Sequence, residues 1–377
     1  MAGPVFRPIG RRSDMTDQLA DLTAQSAGFA APDLRPLLAP RAIAVVGASD
    51  RPGAGSLVLE NLRRLDFAGA VYPVNPKYTE LHGWRCYPSL RDLPGPVDCV
   101  AILLGYQRVL PALQEAAAAG ARAAWALASG FGEAGPAGEK LQAEAAAFCR
   151  AKGIALVGPN CIGVVNLHAR AAAYSVALPP TIQPGRVAAV VQSGAVCLGI
   201  ANANRGLGFS ALISSGNEAV LENADYIAWL ADDPQTAVII AFIEGFKNPA
   251  RFVWAARRAA AAGKPLLVVK VGRSAVAQRA ALAHTGSLAG ADAVHDAVFR
   301  ELGVVRLNTL DELLEAAELF LKAPLPKGRG TAILTLSGGQ IGLIGDLLEG
   351  DAHRWGADLR LAELSSAGRQ ALAAILP

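Results

Sequence analysis

The sequence predicts an α/β protein built on doubly wound parallel sheets, and three observations carry that prediction. Short, unbroken apolar runs recur along the chain, as expected of strands covered by helices on both faces. Alanine-rich stretches long enough for helices separate these runs, an alternation that makes the sheet parallel. Each run ends in a loop of glycine, serine, asparagine or proline, where a doubly wound sheet opens its ligand crevice. Composition agrees. Of 377 residues, 52% are hydrophobic but only 6% aromatic, and 39 are glycine. Small side chains suit close packing of helix on sheet, and the length is enough for two or three domains.

The first alternating unit begins with strand 42–47, Ala-Ile-Ala-Val-Val-Gly, a loop through Gly55 and a helix from Ser56 to about Leu65. Strand 70–74 follows and ends in Asn75-Pro76-Lys77. Strand 99–104, helix 107–119, strand 121–127, helix 136–152 and strand 154–157 continue the pattern. Residues 167–184 carry Pro179-Pro180 and Pro184-Gly185 and read as a boundary. The second unit opens with the apolar run 187–191. It continues with strands at 209–213, 237–242 and 266–271 and helices at 193–206, 222–232, 249–262, 291–302 and 310–322. Pro324 to Gly330 reads as a linker. A third unit then starts with strand 331–336, a Ser-Gly-Gly-Gln loop, helix 341–350 and a short strand near 359–361. It holds too few elements for an independent core, so it is expected to be incomplete or to lean on a partner chain. The expected division is an N-terminal extension at 1–36, domains at 37–168 and 169–325, and a partial unit at 330–377.

The bulk properties exclude several classes. A net charge of +3, with no basic stretch interleaved with aromatics, gives no reason to expect nucleic acid. No window reaches the roughly 18 apolar residues of a membrane span. Arg7, Arg11 and Arg12 near the start are not followed by an apolar segment, so no secretory signal is expected, and Met15 is an alternative start. The five cysteines (Cys86, Cys99, Cys149, Cys161, Cys197) are scattered, odd in number and without a CxxC pair. That pattern suits a reduced cytoplasmic compartment and argues against a zinc site.

The most informative motif is Ala283-His284-Thr285-Gly286-Ser287-Leu288-Ala289-Gly290, followed by Asp292. A histidine among glycines and small residues lies where backbone N–H groups can face an anion, and imidazole can attack, carry and release a phosphoryl group. His284 is therefore expected to be a phosphoryl carrier, with Gly286 and Ser287 beside the phosphate. The remaining histidines, His82, His168, His295 and His353, lack such a setting and read as structural or solvated.

Other loops suggest ligand contacts. The loop from Gly47 through Ser49 and Asp50 to Gly55 joins a strand to a helix and lets phosphates approach the backbone. Its glycines are not spaced GxGxxG, and the second strand ends in Lys77 rather than an acid that would grip a ribose. This favours a phosphorylated nucleotide such as coenzyme A over NAD; a tight structural turn is the plainer alternative. Ser129-Gly130-Phe131-Gly132-Glu133 and Gly158-Pro159-Asn160-Cys161 follow later strands at the same edge. Cys161 has no nearby histidine and reads as a small buried thiol. Gln192-Ser193-Gly194 opens a helix and can hold an anion, cap the helix, or both. Ser214-Ser215-Gly216-Asn217-Glu218 is another small-residue loop. Glu244 closes a very apolar strand. It is either a carboxylate that orients an imidazole or a solvated loop acid. Lys270 and Arg273 could steady phosphate charge or lie on the surface.

Taken in order, the motifs at 44–49, 73–77, 129–133, 158–163, 192–195, 214–219 and 283–290 resemble the NDP-forming acyl-CoA synthetase superfamily, which includes succinyl-CoA synthetase α subunits and ADP-forming acetate–CoA ligases. The resemblance runs from about Leu37 to Leu321, with a weaker tail to Pro377, and is nearer the acetate branch. It implies a Rossmann-like CoA-binding domain followed by flavodoxin-like domains. It implies His284 as the phosphohistidine, Glu244 as its supporting carboxylate, and the helix opening at Ser193 as the phosphate stabiliser. CoA contacts would come from the loops around 47–55, 74–77 and 129–133, with Asn75, Lys77, Ser129, Gly130, Glu133 and Asn160 as candidates. The implied activity is an ADP-forming acid–thiol ligase acting on a carboxylic acid, CoA and ATP. Three departures stand out: Leu104-Gly105-Tyr106 replaces a proline-bearing turn, the third domain is expected to be cut short at Pro377, and no ATP-grasp region is recognised. A β-type partner or fused domain would then handle ATP, ADP and Mg2+. A non-catalytic CoA-binding regulatory module is the alternative, and the pairing of His284 with Glu244 counts against it.

Overall fold

The computed structural model describes residues 20–26, 28–274, 292–324, 330–350, 360–361 and 364–375. The chain divides into two compact units, Met1–Lys322 and Ala323–Pro377.

In the first unit, a short helix α1 (Arg35–Leu38) leads into β1 (Ala42–Val46), α2 (Ala54–Arg64) and β2 (Ala70–Val74). A small hairpin, β3 (Glu80–Leu81) and β4 (Trp84–Arg85), precedes β5 (Cys99–Ile102), α3 (Val109–Ala118), β6 (Ala123–Ala126), α4 (Pro136–Lys152) and β7 (Ala155–Val157). The first sheet has order β2-β1-β5-β6-β7 and is parallel throughout. Its central strands carry the unbroken apolar runs because both faces are covered: all four residues of β5 and of β6 are buried. Helix α2 buries Val58, Leu59 and Leu62 on one face and places Arg63 and Arg64 in its last turn, where the helix dipole favours cations.

The second sheet begins earlier than the sequence suggests. Strands β8 (Gly163–Asn166) and β9 (Ala171–Tyr174) form an antiparallel hairpin. β8 pairs with β11 (Phe209–Ser214). The expected domain change at 169 thus falls inside this hairpin, and strand pairing passes to the second sheet at Gly163. Runs of four residues were too short to stand out as strands. The unit continues with β10 (Pro184–Val191), α5 (Gly194–Ala201), β11, α6 (Asn223–Asp232), β12 (Val238–Ile243), α7 (Pro249–Ala261), β13 (Leu266–Lys270), α8 (Asp292–Glu301), β14 (Val305–Leu307) and α9 (Leu310–Lys322). The strand order is β14-β13-β12-β10-β11-β8-β9. β14 was also unforeseen; a three-residue strand carries little periodic signal.

One apolar core runs through both sheets, taking in Val45, Trp125, Val190, Ile213 and Tyr226. A buried amide reinforces the join. Asn61 on α2 donates to the carbonyls of Tyr174 and Val176 at 2.9 and 2.8 Å and accepts from the Leu178 amide at 3.2 Å. Buried polar atoms with every bond made cost little and define the register of what they join.

The second unit has a two-stranded parallel pair, β15 (Gly330–Thr331) and β16 (Arg360–Leu361), with α10 (Gly338–Gly350) and α11 (Ser366–Ala373). The expected strand 331–336 is much shorter, and the helix starts three residues earlier than anticipated. Leu334, Leu336, Leu343 and Ile375 are exposed, and α11 buries none of its residues.

Candidate functional site

Each sheet of the first unit reverses its winding once. From β1 the chain passes to β2 on one side and then crosses to β5 on the other; from β10 it passes to β11 and then crosses to β12. Ligands of open α/β sheets bind at such switch points, beyond the strand C-termini. Most of the candidate residues lie at these two places.

At the β1/β5 switch point, Gly47 has φ 89°, and a Cβ there would stand 2.8 Å from the Leu103 carbonyl oxygen. The loop after β1 can therefore lie against β5 only with glycine at this position. The Asn75 side chain braces the loop, donating to the Ala48 carbonyl at 2.8 Å and accepting from the Lys77 amide at 3.0 Å. Tyr78 Oη donates to Asp50 Oδ1 at 2.6 Å, and Ser49 Oγ accepts from the Arg51 amide at 3.0 Å. Asp50, Lys77 and Ser129 are exposed. Asn75 and Asp50 thus shape the loop and leave Lys77 as a cation at its rim.

At the β10/β12 switch point a cleft of about 340 Å³ is lined by Asn160, Cys161, Ile162, Gln192, Ser193, Gly194, Gly216, Asn217 and Glu244, among others. Five residues singled out in the sequence meet here: Asn160, Gln192, Ser193, Gly194 and Glu244. Ser193 caps α5, its Oγ accepting from the Val196 amide at 3.4 Å. The amides of the first turn of α5 face the cleft end of the helix, a setting that favours an anion. Glu244 follows the last residue of β12, half-buried, as the run of apolar residues before it predicts. Cys161 is buried and donates to the Ala126 carbonyl. Burial pushes its thiol up to about 12, so it is protonated and inert, as expected.

The two regions are joined by Asn217. Its side chain donates to Glu133 and, at 3.0 Å, to Gln142, and accepts from Asn160 at 3.3 Å. Glu133 also accepts from the amides of Gly130 and Phe131 at 2.6 and 3.2 Å. Burial alone would raise its pKa, but these donors lower it below the ordinary value. Glu133, foreseen as a CoA contact, therefore fastens the 130–133 loop from within. Gly216 makes the crossing possible: with φ 60°, a Cβ there would meet the carbonyl oxygens of Pro159 and Asn160 at 2.4 and 2.6 Å. His284, Gly286 and Ser287 lie outside the described residues.

Comparison with known proteins places this geometry. A CoA binding domain model matches residues 41–166, and the model for the succinyl-CoA ligase like flavodoxin domain matches residues 184–320. In structure, the chain is similar to a dinucleotide forming acetyl-coenzyme A synthetase 1 of Ca. Korarchaeum cryptofilum, solved in complex with phosphate and ADP, with a TM-score of 0.83 and 32% identity, covering 92% of this chain and 73% of that one. It is also 37% identical to the alpha subunit of ADP-forming acetate–CoA ligase II of Pyrococcus furiosus, over 90% of this chain and 72% of that protein. The chain belongs to the NDP-forming acyl-CoA synthetase family. Its similarity extends to a trans-feruloyl-CoA synthase of an unknown prokaryotic organism, 38% identical over 90% of this chain and 48% of that protein. The chain spans about half the length of the first curated relatives it matches.

Around the cleft lie buried charged side chains whose partners the sequence did not reveal. Glu218 is buried with φ 54° and accepts from Ser215 Oγ at 2.8 Å and from the Asn223 amide at 3.1 Å. Burial holds its carboxyl well above the ordinary range; hydrogen bonds from Ser215 and Gln192 and the charge of Lys247 oppose the shift, and Glu222 adds to it. Lys270 is no surface charge. It is 3% exposed, and its ammonium donates to the carbonyls of Glu244 and Val271 at 2.8 and 2.5 Å. Burial, with the charge of Arg306, pushes it down to about 8, against Asp292 and Glu244. Arg273 bonds Asn308 at 2.5 Å. His295 is buried beside Phe246 and Phe299. Among the described residues, no cluster of three or more His, Cys, Asp or Glu could hold a metal ion, and no helix is long and apolar enough to cross a membrane.

Proposed function

We propose that this chain is the α-type part of an ADP-forming acyl-CoA synthetase, catalysing acid + CoA + ATP ⇌ acyl-CoA + ADP + phosphate. The observation that carries the reading is the β10/β12 cleft, which brings the N-terminus of a capped helix and the carboxylate closing β12 together. In the direction of acyl-CoA breakdown, phosphate attacks the thioester carbonyl, the C–S bond breaks, and CoA thiol and an acyl phosphate result. His284 then attacks phosphorus and the carboxylate leaves. The phosphoryl group passes from His284 to ADP.

The chain's own part is mostly positioning and charge stabilisation, as in phosphoryl transfer generally. The amides after Ser193 and Gly194 hold the phosphate. Glu244 accepts a hydrogen bond from one imidazole N–H, which sets the tautomer and leaves the other nitrogen nucleophilic. CoA lies along the β1/β5 crevice. The residues there fit it: the Gly47 loop lets phosphates reach backbone amides, and Lys77 is exposed at the rim. The nucleotide, with the Mg2+ that would neutralise its phosphates, belongs to an ATP-grasp partner chain or domain. The Pyrococcus relative, named an alpha subunit, supports that division.

The test is phosphate transfer to the chain. Incubated with acetyl phosphate, the wild type is expected to gain acid-labile, base-stable phosphate on His284, found by mass spectrometry. His284→Ala should lose the label and keep its calorimetric CoA affinity to within about twofold, since it removes a group used only in transfer. Undiminished label in His284→Ala would overturn the carrier role.

A further inference from the structure

Gln192 follows the last residue of β10 with its side chain folded away from solvent, 7% exposed. Its Oε1 accepts from the Glu244 amide at 2.5 Å and the Gly245 amide at 3.0 Å, and its Nε2 donates to the Gly245 carbonyl at 2.8 Å. One amide therefore makes three bonds to the two residues that follow β12, across the switch point. Two amide donors converge on the oxygen, so the orientation of the Gln192 amide follows from the network itself. The buried Glu218, which Ser215 and Asn223 anchor, lies beside it. Lys270 grips the Glu244 carbonyl from the β13 side. The Glu244 backbone is thus held on both its amide and its carbonyl by buried side chains. These bonds commit the Gln192 oxygen and one of its N–H donors to the 244–245 turn.

We propose that Gln192 is a positioning residue that sets the Glu244 carboxylate, with Glu218 fixing the Gln192 amide, and is not a phosphate ligand. The inference rests on the reading of Glu244 as the carboxylate that supports phosphoryl transfer at His284. Without Gln192 the amides of Glu244 and Gly245 lose their acceptor, the turn relaxes, and the carboxylate drifts by the fraction of an ångström that transfer geometry does not tolerate.

The test uses the full chain and single-turnover phosphorylation by acetyl phosphate, with phosphate-donor affinity, CoA affinity and melting temperature measured alongside. Gln192→Met keeps the volume and removes every bond. It is expected to slow labelling of His284 at saturating donor by about tenfold to a hundredfold, while donor and CoA affinities change less than about twofold. Glu218→Gln keeps the shape, loosens the amide, and should slow labelling by about threefold or more. It also serves if Gln192→Met does not fold. A weakened donor affinity with an unchanged saturating rate would make Gln192 a phosphate ligand and overturn the proposal, as would unchanged kinetics in both variants. Failure of the underlying reading looks different: the wild type itself would carry no label on His284, and the proposal would fall with it.

Discussion

At the β1/β5 switch point the groups that face outward are loop backbone and exposed side chains such as Lys77 and Ser129, braced by Asn75 and Tyr78. At the β10/β12 switch point they rest on buried polar and ionisable side chains: Gln192, Glu218, Lys270 and, behind them, His295. The winding is the same and the support is opposite. A long, flexible, phosphorylated ligand can be met by a glycine loop and a mobile cation. A phosphoryl transfer needs atoms held within a fraction of an ångström, and rigid placement comes from buried networks in which every bond is made. That rigidity carries a cost, because ionisable groups are kept where burial disfavours their charge.

The comparison can be broken at the crossing between the regions. Gly216→Ala forces a Cβ against two carbonyl oxygens in a left-handed backbone. It is expected to destabilise the first unit by roughly 4 kcal/mol, read by denaturant unfolding. A loss below about 1 kcal/mol would mean that the 159–160 and 216–217 loops do not meet as described.

The buried support of the second region also sharpens into a pH prediction. Burial, then the charges of Lys270 and Arg306, push the His295 imidazole down to about 4, with Asp292 and Asp296 opposing. Between pH 6.5 and 4 the unfolded chain binds this proton and the folded chain does not, so stability falls as pH drops through that window. The loss approaches about 3 kcal/mol at pH 4. His295→Phe removes the titration and should flatten that limb. Hydrogen exchange at pH 5 should find α8 and β13 opening before β1 and β5. An unchanged acid limb in the variant would assign the sensitivity elsewhere.

The smallest effect belongs to the first region. Gly47→Ala meets the Leu103 carbonyl at 2.8 Å and disfavours φ 89°. The loop must shift, and CoA affinity is expected to drop by about tenfold, with His284 labelling nearly unchanged. A loss of labelling to match the loss of CoA affinity would show that the two switch points do not act separately.

Much of this architecture was legible in the chain. The unbroken runs at 42–47, 70–74 and 187–191 mark strands buried on both faces, and the observed ends differ by only a few residues. The glycine and serine loops after them mark the ligand edge, so Gly47, Ser193 and Glu244 could be chosen before any coordinates. The hairpin 163–174 was not legible. Its two strands have four residues each, and it is completed by pairing with β11, far along the chain.

The sequence by itself determined which segments are strands and helices and which loops lie at the strand ends, because periodicity and glycine act over a few residues. Only the tertiary structure decided what those loop residues do. Glu133, a ligand candidate in the sequence, also fastens its loop because Asn217, 84 residues away, donates to it. Gln192, a phosphate candidate in the sequence, bonds the turn after β12 because Gly245, 53 residues away, receives its amide. Lys270, open in the sequence between a phosphate partner and a surface charge, is a buried clamp because the carbonyls of Glu244 and Val271, just after β12 and β13, converge on it. A side chain's polarity is written in its own residue, but its partner is set by the strand order. Hydrogen bonds between loops brought together by a crossover leave no periodic trace along the chain.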